Sequence, residues 1–177
     1  MGIKVAKFGG SSLADENQFR KVKKIIDADS DRRYIVPSAP GKRFSEDIKI
    51  TDMLYRCYDL AKAGKNFDEE FGIIEKRYND IIAALSLSLS LKDDFADIKS
   101  ALRAKVGKDF AASRGEYLNG KILAEYLGYE FIDAAEVIFF DENGKYDAEH
   151  TDAVLSERLK DIEPAVIPGF YGVSTND

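Results

Sequence analysis

The chain has one cysteine, one histidine and no long apolar run, and each shortage removes a class of function. A lone thiol, Cys57, cannot close an internal disulfide, so the core must hold the fold, and the reading suits a reducing, cytoplasmic setting. Cys57 and His150 together make no familiar zinc spacing, so no protein-held metal is expected. A membrane-spanning helix needs ~18–20 consecutive apolar residues, and no segment approaches that. The opening residues Met1–Gly10 also lack the apolar stretch of a signal peptide. Positive charge is in deficit: 26 Lys and Arg stand against 32 Asp and Glu, a net charge of −6. Such a field offers no footprint for a nucleic-acid backbone.

What is present is the material of one folded domain. The 177 residues are 45% hydrophobic and 33% charged, enough to bury about 70% of the surface an unfolded chain of this size exposes. Ile3–Phe8 is a short apolar run stopped by Gly9-Gly10, which predicts a buried strand entering a tight turn. A helix follows, with Phe19, Val22, Ile25 and Ile26 on one stripe and Asp15 and Gln18 set as a capping box. Tyr34–Ser38 reads as a second strand, with Pro37 near its end because proline has no N–H for a central ladder.

Helices are predicted from Thr51 to Gly64, from Asp68 to Leu85 and from Asp109 to Leu127, the last stopped by Gly128. Leu85–Leu91 alternates leucine with serine, formally a strand signal, yet it lies between helical patterns with no obvious neighbour. Tyr129–Asp133, Glu136–Phe140 and Pro164–Pro168 read as strands, Asp141–Gly144 as a turn and Asp147–Lys160 as a helix. Short apolar strands alternating with longer helices indicate an α/β fold: a mainly parallel sheet in a three-layer α/β/α sandwich. The last nine residues, Gly169–Asp177, read as the middle of a glycine-rich loop with no closing element, so the sandwich is expected to be incomplete.

In open parallel sheets, ligands bind where strands end and turn into helices. Lys7-Phe-Gly-Gly-Ser11-Ser12 places a lysine before such a turn, two glycines and two hydroxyls beside a helix start, which suits phosphate. A plain tight turn with a surface lysine is the alternative, and the spacing fits neither a Walker A loop nor G-x-G-x-x-G. Inside the long helix, Gly115 and Gly120 each cost roughly 1 kcal/mol relative to alanine, so something must approach the backbone there. Glu116 falls on the apolar face of that helix. It needs either an internal cationic partner, such as Arg114 or a lysine from elsewhere, or the ammonium group of a ligand. Thr51 can be an N-cap, a ligand contact or both. Cys57 reads as a core thiol, and His150 stands alone in a polar helix start.

Five motifs occur in order: Lys7-Phe-Gly-Gly-Ser-Ser12, Ser38-Ala-Pro-Gly41, Thr51-Asp-Met-Leu54, Ser113-Arg-Gly-Glu116 and Pro168-Gly-Phe-Tyr-Gly172. Together they resemble the N-terminal part of the aspartokinases, members of the amino acid kinase family. Ser11 stands where many members have threonine, and Pro37 where an aliphatic residue is commoner. The resemblance implies transfer of the γ-phosphoryl group of ATP to the side-chain carboxylate of L-aspartate, the entry to lysine, threonine and methionine synthesis. It implies that Lys7, Gly9, Gly10 and Ser11 attend the phosphates, with Mg2+ bound through those phosphates. Ser38, Thr51, Glu116, Gly169 and Phe170 would then line the aspartate pocket, while Arg114 supports its helix. It further implies a homo-oligomer when full length, and that residues 1–177 are the substrate-binding part of a catalytic domain, without its nucleotide-binding half or regulatory domains. Acetylglutamate and uridylate kinases, and a non-catalytic amino-acid-binding module, are the alternatives. The Ser-Arg-Gly-Glu helix favours aspartate, and Lys7 disfavours a mere sensor.

Overall fold

A computed structural model describes residues 2–174. Strands β1 (Lys4–Phe8) and β2 (Arg32–Pro37) enclose a 3-10 turn at Gly10–Leu13 and helix α1 (Glu16–Asp27). Four helices follow: α2 (Ile50–Lys62), α3 (Asp68–Ala84), α4 (Lys92–Arg103) and α5 (Lys108–Leu127). The remainder comprises β3 (Glu130–Phe131), α6 (Ala134–Val137), β4 (Phe139–Phe140), α7 (Ala148–Arg158), β5 (Ala165–Val166) and β6 (Val173–Ser174). The main sheet has the order β1-β2-β5-β3 with every pair parallel, and β4 pairs with β6 in a separate parallel ribbon.

Strand alternation divides the core between the two faces of the sheet. Ala6, Phe8, Ile35 and Val166 face the larger cluster, which is built from α1 to α5. Tyr34, Ala165 and Ile167 face a smaller cluster with Val137, Val154 and Leu155. Helices thus flank both faces, but unequally. On the second face the covering layer stops short of β1, leaving Ile3 and Val5 exposed. An apolar groove of about 430 Å³ runs there between Val5, Tyr34, Val36, Phe140 and Leu159. The α/β sandwich anticipated from the sequence is therefore present, with one layer partial.

Local chemistry explains the element ends. The Asp15 carboxylate accepts the Gln18 N–H at 3.0 Å, capping α1. Gly64 and Gly128 adopt φ values of +70° and +73° just past α2 and at the end of α5, where a side chain would be strained. Helix α1 buries Phe19, Val22 and Ile26, but Ile25, expected on the same stripe, faces solvent at its edge.

Four readings need correction. Helix α2 begins one residue earlier than expected, with Lys49 at the cap position, so Thr51 lies in its first turn and caps nothing. Glu136 and Val137 are in the helical turn α6, and only Phe139 and Phe140 form a strand; the turn after them is present, with Gly144 N–H donating to the Asp141 carbonyl at 2.9 Å. The final loop does contain an element, since Val173 and Ser174 pair with β4; residues 175–177 lie outside the described residues. Helix α4 was not anticipated, although Phe95, Ile98 and Leu102 carry helical spacing. The alternating leucines are not a strand. Leu85, Leu87 and Leu89 are half-buried against the core while the intervening serines are exposed, so the period of two reflects a turn and loop after α3, with Ser86 at φ +57°, that lays alternate side chains on the core.

Candidate functional site

Three strand ends meet at one edge of the sheet. Ser38 N–H donates to the Phe8 carbonyl at 3.0 Å, and Gly169 N–H donates to the Pro37 carbonyl at 3.2 Å. The loop after β2 is pressed onto the Gly-Gly turn: Gly41 N–H donates to the Gly10 carbonyl at 2.8 Å. A Cβ on Gly10 would stand 2.7 Å from the Ala39 carbonyl oxygen, so this glycine is required by close approach. Gly9 has φ −74° and open space where a Cβ would point. The turn's glycines therefore serve packing on one side and access on the other, and neither has a positive φ. The hydroxyls of Ser11 and Ser12 lie in the 3-10 turn, upstream of the start of α1.

Helix α5 brings in the buried polar groups. Gly115 receives Ala39 and Ile50, whose atoms would lie 2.9 and 3.3 Å from a Cβ there. Gly120 receives Pro168, 2.7 Å from the corresponding position. The two helix glycines are thus where the loops after β2 and β5 and the start of α2 reach the helix backbone, as the sequence implied. Since Ala39 follows Ser38 and Ile50 precedes Thr51, the same contacts gather Ser38, Thr51 and Glu116. Tyr78 donates its hydroxyl to the Gly115 carbonyl at 2.8 Å and steadies that turn of the helix.

Glu116 is 6% exposed, and its Oε2 has no hydrogen-bond partner among the described residues. Burial raises its carboxyl above the ordinary range, while the Ala39 backbone N–H and, more weakly, the Lys7 charge pull the other way. The internal-pair reading fails for Arg114. That guanidinium stacks on Phe110, Tyr117 and Tyr171 at 4.7, 4.6 and 5.1 Å. Tyr171 in turn donates to Asp133 at 2.7 Å, so the loop after β5 is held to α5 by the stack on Arg114 and to the start of α6 by this hydrogen bond. A buried carboxylate with a free oxygen, on a helix that two loops and the start of α2 approach, is suited to a cationic ligand group.

Lys7 is exposed, and its side chain makes no hydrogen bond or ion pair among the described residues. Strand alternation turns it to the same face as Val5, opposite α5, so Lys7 and Glu116 stand at one edge on different faces of the sheet. Ser11 is exposed, Ser38 and Thr51 are half-buried, and Gly169 packs on Val36. Phe170 is 69% exposed with φ +80°, an uncommon conformation for a bulky residue and one that costs about 1–3 kcal/mol. A free lysine, open space beside Gly9 and the exposed Ser11 fit an anionic group such as a nucleotide phosphate. No group of three or more His, Cys, Asp or Glu able to hold a metal occurs among the described residues.

Two residues escaped the sequence reading. Asn119, fully buried one turn after Glu116, donates from Nδ2 to the Ser38 carbonyl at 2.7 Å, and its Oδ1 is unpartnered. Arg77, 4% exposed on α3, reaches three loop carbonyls. The signal for both was a polar residue on an otherwise apolar stripe. Cys57 is a core thiol, pushed up to about 12 by burial, and the His150 ring stacks on Phe139 with centroids 3.9 Å apart.

Comparison with known proteins gives a consistent result. Aspartokinase 3 of Bacillus subtilis (strain 168) is 32% identical over 190 residues, covering 97% of this chain and 41% of that protein. The crystal structure of aspartate kinase from Clostridium acetobutylicum matches with a TM-score of 0.96 and 52% identity, over 99% of this chain and 41% of that one. E. coli aspartokinase III, solved in complex with aspartate and ADP, matches with a TM-score of 0.80 and 21% identity, over 98% and 42%, which speaks for the fold alone. The chain thus spans less than half the length of these relatives. The model of the amino acid kinase family matches residues 2–177, in keeping with the parallel sheet and its glycine-bound strand ends, and the chain belongs to that family.

Proposed function

We propose that the protein containing this chain transfers the γ-phosphoryl group of ATP to the side-chain carboxylate of L-aspartate, giving 4-phospho-L-aspartate, the first step of lysine, threonine and methionine synthesis. The observation that carries this reading is Glu116, a buried carboxylate with one oxygen unpartnered where the loop bearing Ser38 and the first turn of α2, bearing Thr51, converge. It supplies the counter-charge for a substrate ammonium group. Ser38 and Thr51 offer hydroxyls around the rest of the amino acid, and Gly169 and Phe170 close the wall formed by the loop after β5. Across the sheet edge, Lys7 opposes the negative charge of the transferring group, and Gly9, Gly10 and Ser11 supply donors around it.

In the reaction a carboxylate oxygen of aspartate forms a bond to the γ-phosphorus while the bond from that phosphorus to the β,γ-bridging oxygen breaks, and ADP departs. Positioning and electrostatic stabilisation suffice for such a transfer, and no covalent enzyme intermediate is needed. Mg2+, held through the nucleotide phosphates, supplies further charge neutralisation. Residues 1–177 form the substrate-side part of the catalytic domain, and the nucleotide-binding half and regulatory domains belong to the rest of a longer protein. The 41% coverage of the relatives supports this. The full-length protein works in the cytoplasm as a homo-oligomer, a reading supported by its single buried thiol and by its resemblance to the aspartokinases. The acidic net charge speaks against nucleic acid as a partner, and no helix among the described residues is long and apolar enough to cross a membrane.

The test is substrate competition in the intact protein with ATP and Mg2+, offering aspartate, acetylglutamate and UMP in turn. Aspartate alone should yield a hydroxylamine-trapped acyl phosphate. Turnover of either rival with none for aspartate overturns the assignment. The 177-residue chain by itself should show little or no turnover, and a rate near that of the intact protein would overturn its reading as a partial domain.

A further inference from the structure

Arg77 is a buried cation that the proposed chemistry does not use. Its Nη1 donates to the Ile48 carbonyl at 2.9 Å, and its Nη2 donates to the Ala14 carbonyl at 3.1 Å and to the Gly41 carbonyl. The three acceptors come from three separate segments. Ala14 lies three residues after Ser11, Gly41 three after Ser38, and Ile48 three before Thr51. One planar guanidinium therefore joins the turn assigned to the phosphates and both segments assigned to the acceptor. The Asp47 carboxylate, gripped by Arg43 at 2.7 and 2.8 Å, lies 3.6 Å from Arg77 and balances its charge.

Burying a cation is a poor way to gain stability, because well-packed apolar residues of similar volume often do as well or better. What the guanidinium adds is geometry. Its donors lie in a fixed fork, so the carbonyls it holds are set at fixed separations. The Gly10–Gly41 contact beside it brings the same two loops together at backbone distance, and it is the register of that contact that the fork fixes.

We propose that Arg77 is a positioning residue that sets the phosphate turn and the acceptor loops at the separation required for in-line transfer. This rests on the proposed aspartate kinase reaction. Neither substrate touches Arg77, so each binds alone without it, whereas the transition state, which spans both loops, does not.

The experiment uses the intact protein carrying Arg77→Lys, with Arg77→Gln as the second variant, and normalises rates to the folded fraction. Lysine keeps the charge but loses the fork. For each variant kcat should fall about 30- to 100-fold, while KM for aspartate and for ATP changes less than about threefold. Affinity for a transition-state mimic assembled from ADP, aluminium fluoride and aspartate should fall by the same factor as kcat. A kcat within threefold of the wild type, a loss carried by one substrate's KM, or failure of both variants to fold would each overturn the proposal, the last because Arg77 would then be merely structural. A wild-type protein inactive toward aspartate overturns the function and this inference together, whereas an active wild type with indifferent variants overturns the inference alone.

Discussion

Lys7 and Glu116 are two charges at the same edge of one sheet, and they live under opposite conditions. Lys7 stands on the thinly covered face, exposed and with no hydrogen bond or ion pair to its side chain among the described residues, so water already satisfies it and its removal costs the fold little. Glu116 stands on the packed face, 6% exposed and with an oxygen unsatisfied, so it burdens the fold until a ligand arrives. The contrast separates two ways of preparing a site. A buried charge is fixed in place before binding and holds its ligand strongly because water is excluded, whereas an exposed one gains strength only when something covers it.

The largest effect that tests this contrast is on the rate. In the intact protein Lys7→Ala should lower kcat by about 10³-fold, the upper range for removing one preorganised charge donor, and a loss under tenfold in steady-state assays would remove Lys7 from the reaction. Next, Glu116→Gln should raise KM for aspartate about 100-fold and leave KM for ATP unchanged, since only the ammonium group loses its counter-charge. Equal rises in both constants would show that Glu116 acts on the fold instead.

A smaller effect concerns pH. Burial holds the Glu116 carboxyl above its unfolded value, so below the unfolded value the group is neutral in both states and costs nothing; its charge burdens the fold increasingly as pH rises, in full above the folded value. Ligand-free Glu116→Gln should therefore exceed the wild type in stability by about 1–2 kcal/mol at pH 8, with the gap closing in acid, as urea titrations at the two extremes would show. By the same linkage, aspartate binding should weaken as pH falls through the raised value. The smallest effect is the control: Lys7→Ala should stay within about 0.5 kcal/mol of the wild type in the same titrations. A larger change would mean that Lys7 is not the free charge described.

Much of this edge could be read from the residues. The Gly-Gly turn, the two glycines inside α5 and the carboxylate between them each break a local rule, and a broken rule at a strand or helix end is visible without coordinates. Arg77 and Asn119 were not legible, because a single polar residue on an apolar stripe does not say which carbonyl it will meet; their acceptors lie 29 to 81 positions away in the chain. Helix α6 defeated the strand reading because Asp133 accepts the Ala135 N–H at 3.0 Å and starts a turn of helix within an apolar run. The alternating leucines carried a true period of burial without a strand behind it, since a connecting segment pressed on a core can also turn alternate side chains inward.

The contact between Gly10 and Gly41 has a consequence for how the protein tolerates change. A side chain at either position would strike main-chain atoms of the other loop, and no substitution elsewhere can trim a main chain. Gly120 is crowded differently, by the rings of Pro168 and Phe131, which a second substitution could make smaller. The two crowded places therefore differ in repairability. A larger residue in the helix can be accommodated by a compensating partner, whereas the paired glycines of the loops leave a later mutation nothing to adjust.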